Sequence, residues 1–328
     1  MASPLSLARV WRILKEVDLD AIRREAGRRV QVLVIGEDTT DADELAVRLA
    51  EGEGDPTPWL TAIDAPLAAR APAAGARDAV VDGPDVVIAL VRGATESDDM
   101  KAARQLWAAR KVRLLTVIVG ANQTPGHVVT RGDTARVAVD RLDAEGIRCV
   151  VDGLFAVVDP DRRIGLARQS PVTRPKIFNA LIEDTARANA GYSFSTGLAE
   201  IVPLLDIPLN IGDMIVLSKN QLMMGYRIAL AAGKTGEPRA LIGEMVGVLG
   251  GGLLFRQLAR QLVGLLPVIG LVPKVAVAYG GTWAIGRAVV VWATGGGKMT
   301  TARLKELSKE GLARGRKMAN ALKRGTEL

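Results

Sequence analysis

Three near-continuous apolar runs limit what this chain can fold into: residues 30–36 (VQVLVIG), 85–91 (DVVIALV) and 112–120 (VRLLTVIVG). A strand with one wet face alternates polar and apolar residues. A continuous run is buried on both faces, which calls for a parallel sheet with helices above and below it. The intervening segments supply helices. Residues 41–51 read as one, with Asp41 placed to cap its start. Residues 97–110 carry Met100, Ala103, Leu106 and Trp107 on one face. A further helix is expected over 134–145 and a fourth strand over 148–151. With 328 residues the chain has room for two cores. Aromatics make up only 4%, so those cores must be built from Ala, Val, Leu and Ile.

The order and spacing of residues 30–158 resemble an Era-like small GTPase. VLVIGEDTTDADELAVRL corresponds to its first strand, loop and helix. PDVVIALV resembles the strand that carries VLFVLD-type sequences, and RLLTVIVGANQ the strand that ends in Asn-Lys-x-Asp. The residues that would bind nucleotide are missing. A P-loop, GxxxxGK[ST], uses glycines to wrap phosphate, Lys to neutralise it and Ser/Thr to hold Mg²⁺. Counted from Gly36, these positions hold Asp41, Ala42 and Asp43. With Glu37 and Asp38 they set acids where a triphosphate would lie, and like charges repel. Gly120-Ala121-Asn122-Gln123 replaces the base-reading motif, and no convincing Asp-x-x-Gly precedes the second strand. The domain reads as a pseudo-GTPase, with no cofactor expected.

Other chemistries find little support. Gly233-Lys234-Thr235 and Gly295-Gly296-Gly297-Lys298 look like P-loop ends, but each follows helical sequence and reads as a linker. Cys149 is the single cysteine and reads as a buried thiol, while the lone His127 sits in a Pro-Gly turn. There is no GxSxG, no His-based triad and no metal cluster. The reading therefore leans against an enzyme and assigns no catalytic or metal-binding residue.

The second half is helical and much more apolar. Residues 174–198 read as a helix with Ile177, Leu181, Ile182 and Ala186 inward. Thr185, Asn189, Ser193, Thr196 and Glu200 form a polar stripe. A second long helix is expected over 206–233, capped by Asp206 and ended by Gly233. Asp213, Asn220 and Arg227 recur every seven residues along it. With Asn189 they form either a buried network between the two helices or a wetted face. Residues 241–293 divide at 267–273 into two helical candidates. Gly243, Gly247 and Gly251 stand at four-residue spacing in the first, and Gly280, Ala284 and Ala288 in the second. Small residues so placed let helix backbones approach closely, in membranes and in tight soluble bundles.

Neither candidate is a clean bilayer span, which needs about 20 apolar residues. Residues 245–255 supply 11 before Arg256, and 262–286 include Lys274 and two prolines. A charge at mid-bilayer costs roughly 2.5–3.5 kcal/mol. Integral insertion, a shallow hairpin and a soluble bundle stay open.

EIVPLLDIPLNIGDMIVLSKNQLMMGYRIALAAG and YGGTWAIGRAVVVW carry a second resemblance. They resemble the YcjF-like domain of unknown function found at the C-terminus of some bacterial Era/EngA-like GTPases. Asp206-x-Pro208, Asp213, Asn220-Gln221, Tyr226 and Gly286-Arg287 carry the match. It implies association with GTPase-like domains and frequent prediction of membrane helices, but no reaction.

The chain then reads as an N-terminal amphipathic helix (1–28), a degenerate GTPase-like α/β domain (29–158) and a linker (159–174). A very apolar all-α domain (175–295) and a basic tail (296–328) complete it. Arg9, Arg12 and Lys15 argue against a signal peptide. Leu7, Val10, Trp11, Leu14 and Val17 form a stripe that lies on a membrane or docks on the neighbouring domain. Residues 298–328 hold nine Lys/Arg and three Glu, a net +6 of the chain's +7. Such a tail is a solvated helix, or it meets anionic lipid, nucleic acid or an acidic partner. Nucleic acid is disfavoured, for want of interleaved aromatics or an RNP pattern. The expected function is a non-catalytic, membrane-associated scaffold, bacterial in type, that self-associates or binds a protein partner. The alternatives are a divergent nucleotide switch and a soluble cytoplasmic partner-binding protein. The expected location is the cytoplasm or its membrane face.

Overall fold

The computed structural model describes residues 17–52, 54, 59–70, 83–93, 95–120, 126–199, 209–250, 271–295 and 299–326, without the side chains of 197–199, 209–215, 248–250, 271–273, 301 and 326. Two compact units result. One is Arg24–Ile177; the other runs from Phe178 and takes in the described residues before Arg24.

Helix α1 (Leu19–Gly27), which belongs to the first unit only from Arg24 on, precedes that unit's six-stranded sheet. In chain order the elements are β1 (Val32–Gly36), α2 (Thr39–Leu49), β2 (Leu60–Asp64), α3 (Ala65–Ala69), β3 (Val86–Arg92) and α4 (Asp98–Ala109). They continue with β4 (Arg113–Val119), β5 (Val129–Arg131), β6 (Thr134–Val139) and α5 (Ala144–Val157). The strand order is β2-β1-β3-β4-β6-β5, parallel throughout except for the β5–β6 hairpin. Both faces of the central strands are dry, as the continuous apolar runs require. Leu33, Ile35, Val87, Ala89, Val91 and Leu114 pack with Met100, Ala103 and Trp107 of α4 and Ala65 and Ala68 of α3. On the other face Gly153 lets α5 sit directly on Leu115 and Val137. The five parallel strands are ordered β2-β1-β3-β4-β6, a doubly wound arrangement whose order reverses between β1 and β3.

The expectations over 134–151 are reversed. Residues 134–139 form strand β6, and the run containing Cys149 lies in helix α5. Asp143 caps that helix, accepting from the N–H groups of Glu145 and Gly146. Ile147, Val150, Val151 and Leu154 then fall on one buried helical face, which a five-residue window mistakes for a strand. Cys149 is half-buried rather than buried. Helix α2 starts two residues earlier than expected, because Asp38 and not Asp41 is its cap. The segment 159–173 is no free linker. It holds two 3₁₀ turns around helix α6 (Arg163–Gln169), with Ile164, Leu166 and Ala167 buried. The Gln169 amide serves both backbone groups of Val30, and Arg162 bonds Asp85 and the Arg29 carbonyl.

The second unit is all helix. It comprises most of α7 (Arg174–Ala199), then α8 (Leu209–Ala231), α9 (Pro238–Gly250), α10 (Leu271–Ala293) and α11 (Thr301–Thr326). Gly233, at φ +90°, ends α8 as expected. The basic tail is an amphipathic helix docked along α10, with Leu304, Leu307, Leu312 and Ala319 buried. The N-terminal stripe from Leu7 to Leu14, Glu200, Asp206, Pro208, Gly251 and Asn122-Gln123 lie outside the described residues.

Candidate functional site

In a doubly wound sheet, ligands bind beyond the carboxyl ends of the strands, where the chain direction reverses. Here that crevice lies between the loops after β1 and β3. Only Glu37 and Asp38 separate Gly36 from the start of α2. The turn is so tight that a methyl group on Gly36 would lie 2.5 Å from the Asp38 carbonyl and 2.6 Å from the Ala42 nitrogen. A phosphate-wrapping loop needs more chain than this. The N–H groups at a helix start would otherwise attract an anion. At α2 the Asp38 carboxylate accepts from Asp41 N–H at 2.9 Å.

The crevice is bridged by the protein's own side chains. Arg92, the last residue of β3, donates from Nε to Asp41 and from Nη2 to Glu44, both at 2.6 Å. The hydrogen bond with Asp41, more than any other influence, raises the Arg92 pKa further above its ordinary value. Glu37 accepts from Ser97 N–H at 3.3 Å, tying the two loops together. Glu96 holds Arg104 through both carboxylate oxygens, at 2.8 and 2.9 Å. Asp64, in register with Gly36 at the end of β2, caps α3. Sequence reasoning missed Asp64 because β2 is short and only half-buried. The crevice can hold its loops together, but its carboxylates oppose a triphosphate.

The helical unit contains the second constellation. Asn189, fully buried, donates to Thr282 Oγ1 at 2.8 Å and accepts from Asn220 Nδ2 at 2.7 Å. Gln221 donates to the same threonine oxygen at 3.0 Å, and Thr282 donates to the Ala278 carbonyl. The expected network therefore links α7 and α8 through Asn189 and Asn220, but its hub is Thr282 of α10. Arg227 is half-buried further along α8. Asp213 lies in α8 with its side chain outside the described residues. The threonine carried no periodic signal, since it sits among apolar residues of an apolar helix. A neighbouring cluster centres on Glu183, which accepts from Tyr279 Oη at 2.5 Å and lies 3.7 Å from Arg314. Burial first, then the bond to Glu183, pushes the Tyr279 phenol up to about 12.

The glycine stripes divide. Nothing described lies within 4 Å of a methyl group built on Gly243 or Gly247, so the first stripe makes no close helix contact among the described residues. The second does. A methyl on Gly280 would lie 2.6 Å from the Gly311 carbonyl carbon and oxygen, and Gly315 meets the Ala276 backbone. Ala284 and Ala288 are buried. The close partner is the basic helix α11, whose glycines carried no such reading.

No protein-family model, no curated protein and no solved structure matches this chain. The Era-like and YcjF-like resemblances therefore rest on the quoted motifs alone.

Proposed function

We propose that this chain is a non-catalytic scaffold: its α/β unit is a degenerate GTPase-like module that engages a protein partner or a second copy, and its helical unit gives contact with a membrane. The observation that carries the reading is the bridged crevice, where Arg92 binds Asp41 and Glu44 and Glu37 binds Ser97. A nucleotide switch leaves that space open and lines it with hydrogen-bond donors for phosphate; here it is bridged and lined by acids. The GTPase-like part of the reading draws support from the parallel strand order β2-β1-β3-β4-β6. A scaffold of this kind associates independently of nucleotide. Sedimentation of the purified chain with and without GTP and Mg²⁺ is expected to give the same self-associated or partner-bound distribution. A distribution that follows nucleotide would favour the divergent switch, and a monomer with neither a partner nor vesicle binding would remove the scaffold.

One observation favours the soluble partner-binding alternative. Lys274–Ala293 is the one described helix long and apolar enough to cross a membrane, yet 67% of that window is buried within the protein. With Thr282 bonded at its middle, this helix serves as a protein core. In that reading the chain is recovered without detergent and does not sediment with vesicles.

A further inference from the structure

The outer surface of α11 has its charges sorted. At about 100° per residue, Leu304, Leu307, Ser308, Gly311, Leu312, Gly315 and Ala319 form the buried arc. On one flank of the exposed arc, Lys305, Lys309, Arg316 and Lys323 fall within about 40° of each other along roughly 27 Å of helix. All four are exposed, and among the described residues no acid lies between them. The acids sit on the opposite flank and are engaged there: Glu306 by Arg303 at 2.6 Å and Glu310 by Arg314 at 3.0 Å. Arg314 also reaches over the Trp283 ring at 4.8 Å. A solvated face has no need to separate its charges this way.

We propose that the cationic flank of α11 docks the protein on an anionic phospholipid surface while the helix stays packed on α10. This deepens the scaffold reading by naming the partner of its helical unit. Charge complementarity selects the occupant. Four cations in line match a plane of negative headgroups. Ala302, Ala313 and Asn320 lie beside them, small enough for close approach. No aromatic residue is present on α11 to stack on a base. The glycine seam with α10 keeps the apolar face covered, so attachment is peripheral and electrostatic rather than inserted.

The test is flotation of the full-length chain with vesicles of phosphatidylcholine, with and without phosphatidylserine. Binding is expected only to the phosphatidylserine vesicles, and release is expected as salt rises. Each cation near such a surface is worth about fivefold in partitioning. The triple variant Lys305→Ala, Lys309→Ala, Arg316→Ala should therefore bind about a hundredfold more weakly. Arg303→Ala, Lys317→Ala, Arg324→Ala removes the same charge off the stripe and should lose much less. Circular dichroism establishes that both variants fold, and the salt series on the native chain needs no variant. The proposal is overturned by no binding, by salt-resistant binding, by equal loss in both triples, or by binding to duplex DNA or RNA but not to vesicles. Vesicle binding is measured without nucleotide, so its failure leaves the nucleotide independence of the scaffold to be judged separately.

Discussion

Asn189 is the residue on which the helical unit's polar core depends. Its amide is fully buried, and both ends are bonded, to Thr282 and Asn220. Asn189→Ala would leave those partners short of bonds and open a cavity, at a cost of about 2–4 kcal/mol. Urea denaturation should register this as a lower midpoint with an unchanged slope. Tyr279 supplies a pH-dependent prediction. Its phenol ionises near 10 when unfolded and is pushed up to about 12 in the fold. A raised pKa means the stabilisation is intact below about pH 10 and is lost as pH rises toward 12. Tyr279→Phe should therefore lose less stability than the native chain across that window, by about 2 kcal/mol. An equal decline in the two proteins would refute the assignment. The sequence revealed Asn189 and Asn220 because polar residues at helical spacing in an apolar helix stand out. Thr282 and Tyr279 stayed hidden, since isolated polar residues have no period and gain meaning only from the helices that face them.

Among the elements, legibility followed burial. Strands β1, β3 and β4 were readable because both faces are dry and their runs are almost wholly apolar. Helix α7 was readable to within a residue, because its 26 residues give many turns of consistent pattern. The short elements failed. Strand β2 has five half-buried residues, and β6 and α5 exchanged identities because Asp143 was not recognised as a cap. The α10–α11 seam was half legible. Gly280 was singled out, but spacing alone could not pair it with Gly311. Substituting Gly311→Val would force a side chain against the Gly280 backbone, which has no room to yield. The expected cost is about 3 kcal/mol. Earlier proteolytic release of the C-terminal helix would accompany it; unchanged protection and stability would show that the seam does not hold α11.

Across the whole molecule, two units answer different questions. The α/β unit keeps the doubly wound architecture while the crevice that architecture offers is bridged by Arg92, Asp41, Glu44, Glu37 and Ser97. The absence of the P-loop residues was plain in the sequence. What took their place was not, since Arg92 lies 48 residues or more from the acids it binds. The helical unit buries its longest apolar helix and turns a sorted cationic flank outward. The proposed scaffold, meeting partners through one unit and a surface through the other, is the reading that joins the two. The central claim is that the α/β unit has no nucleotide cycle. Isothermal titration of the full chain with GTP and with ATP, each with and without Mg²⁺, tests it most directly. The account predicts no saturable binding up to millimolar nucleotide, whereas Mg²⁺-dependent binding at micromolar concentrations would contradict it.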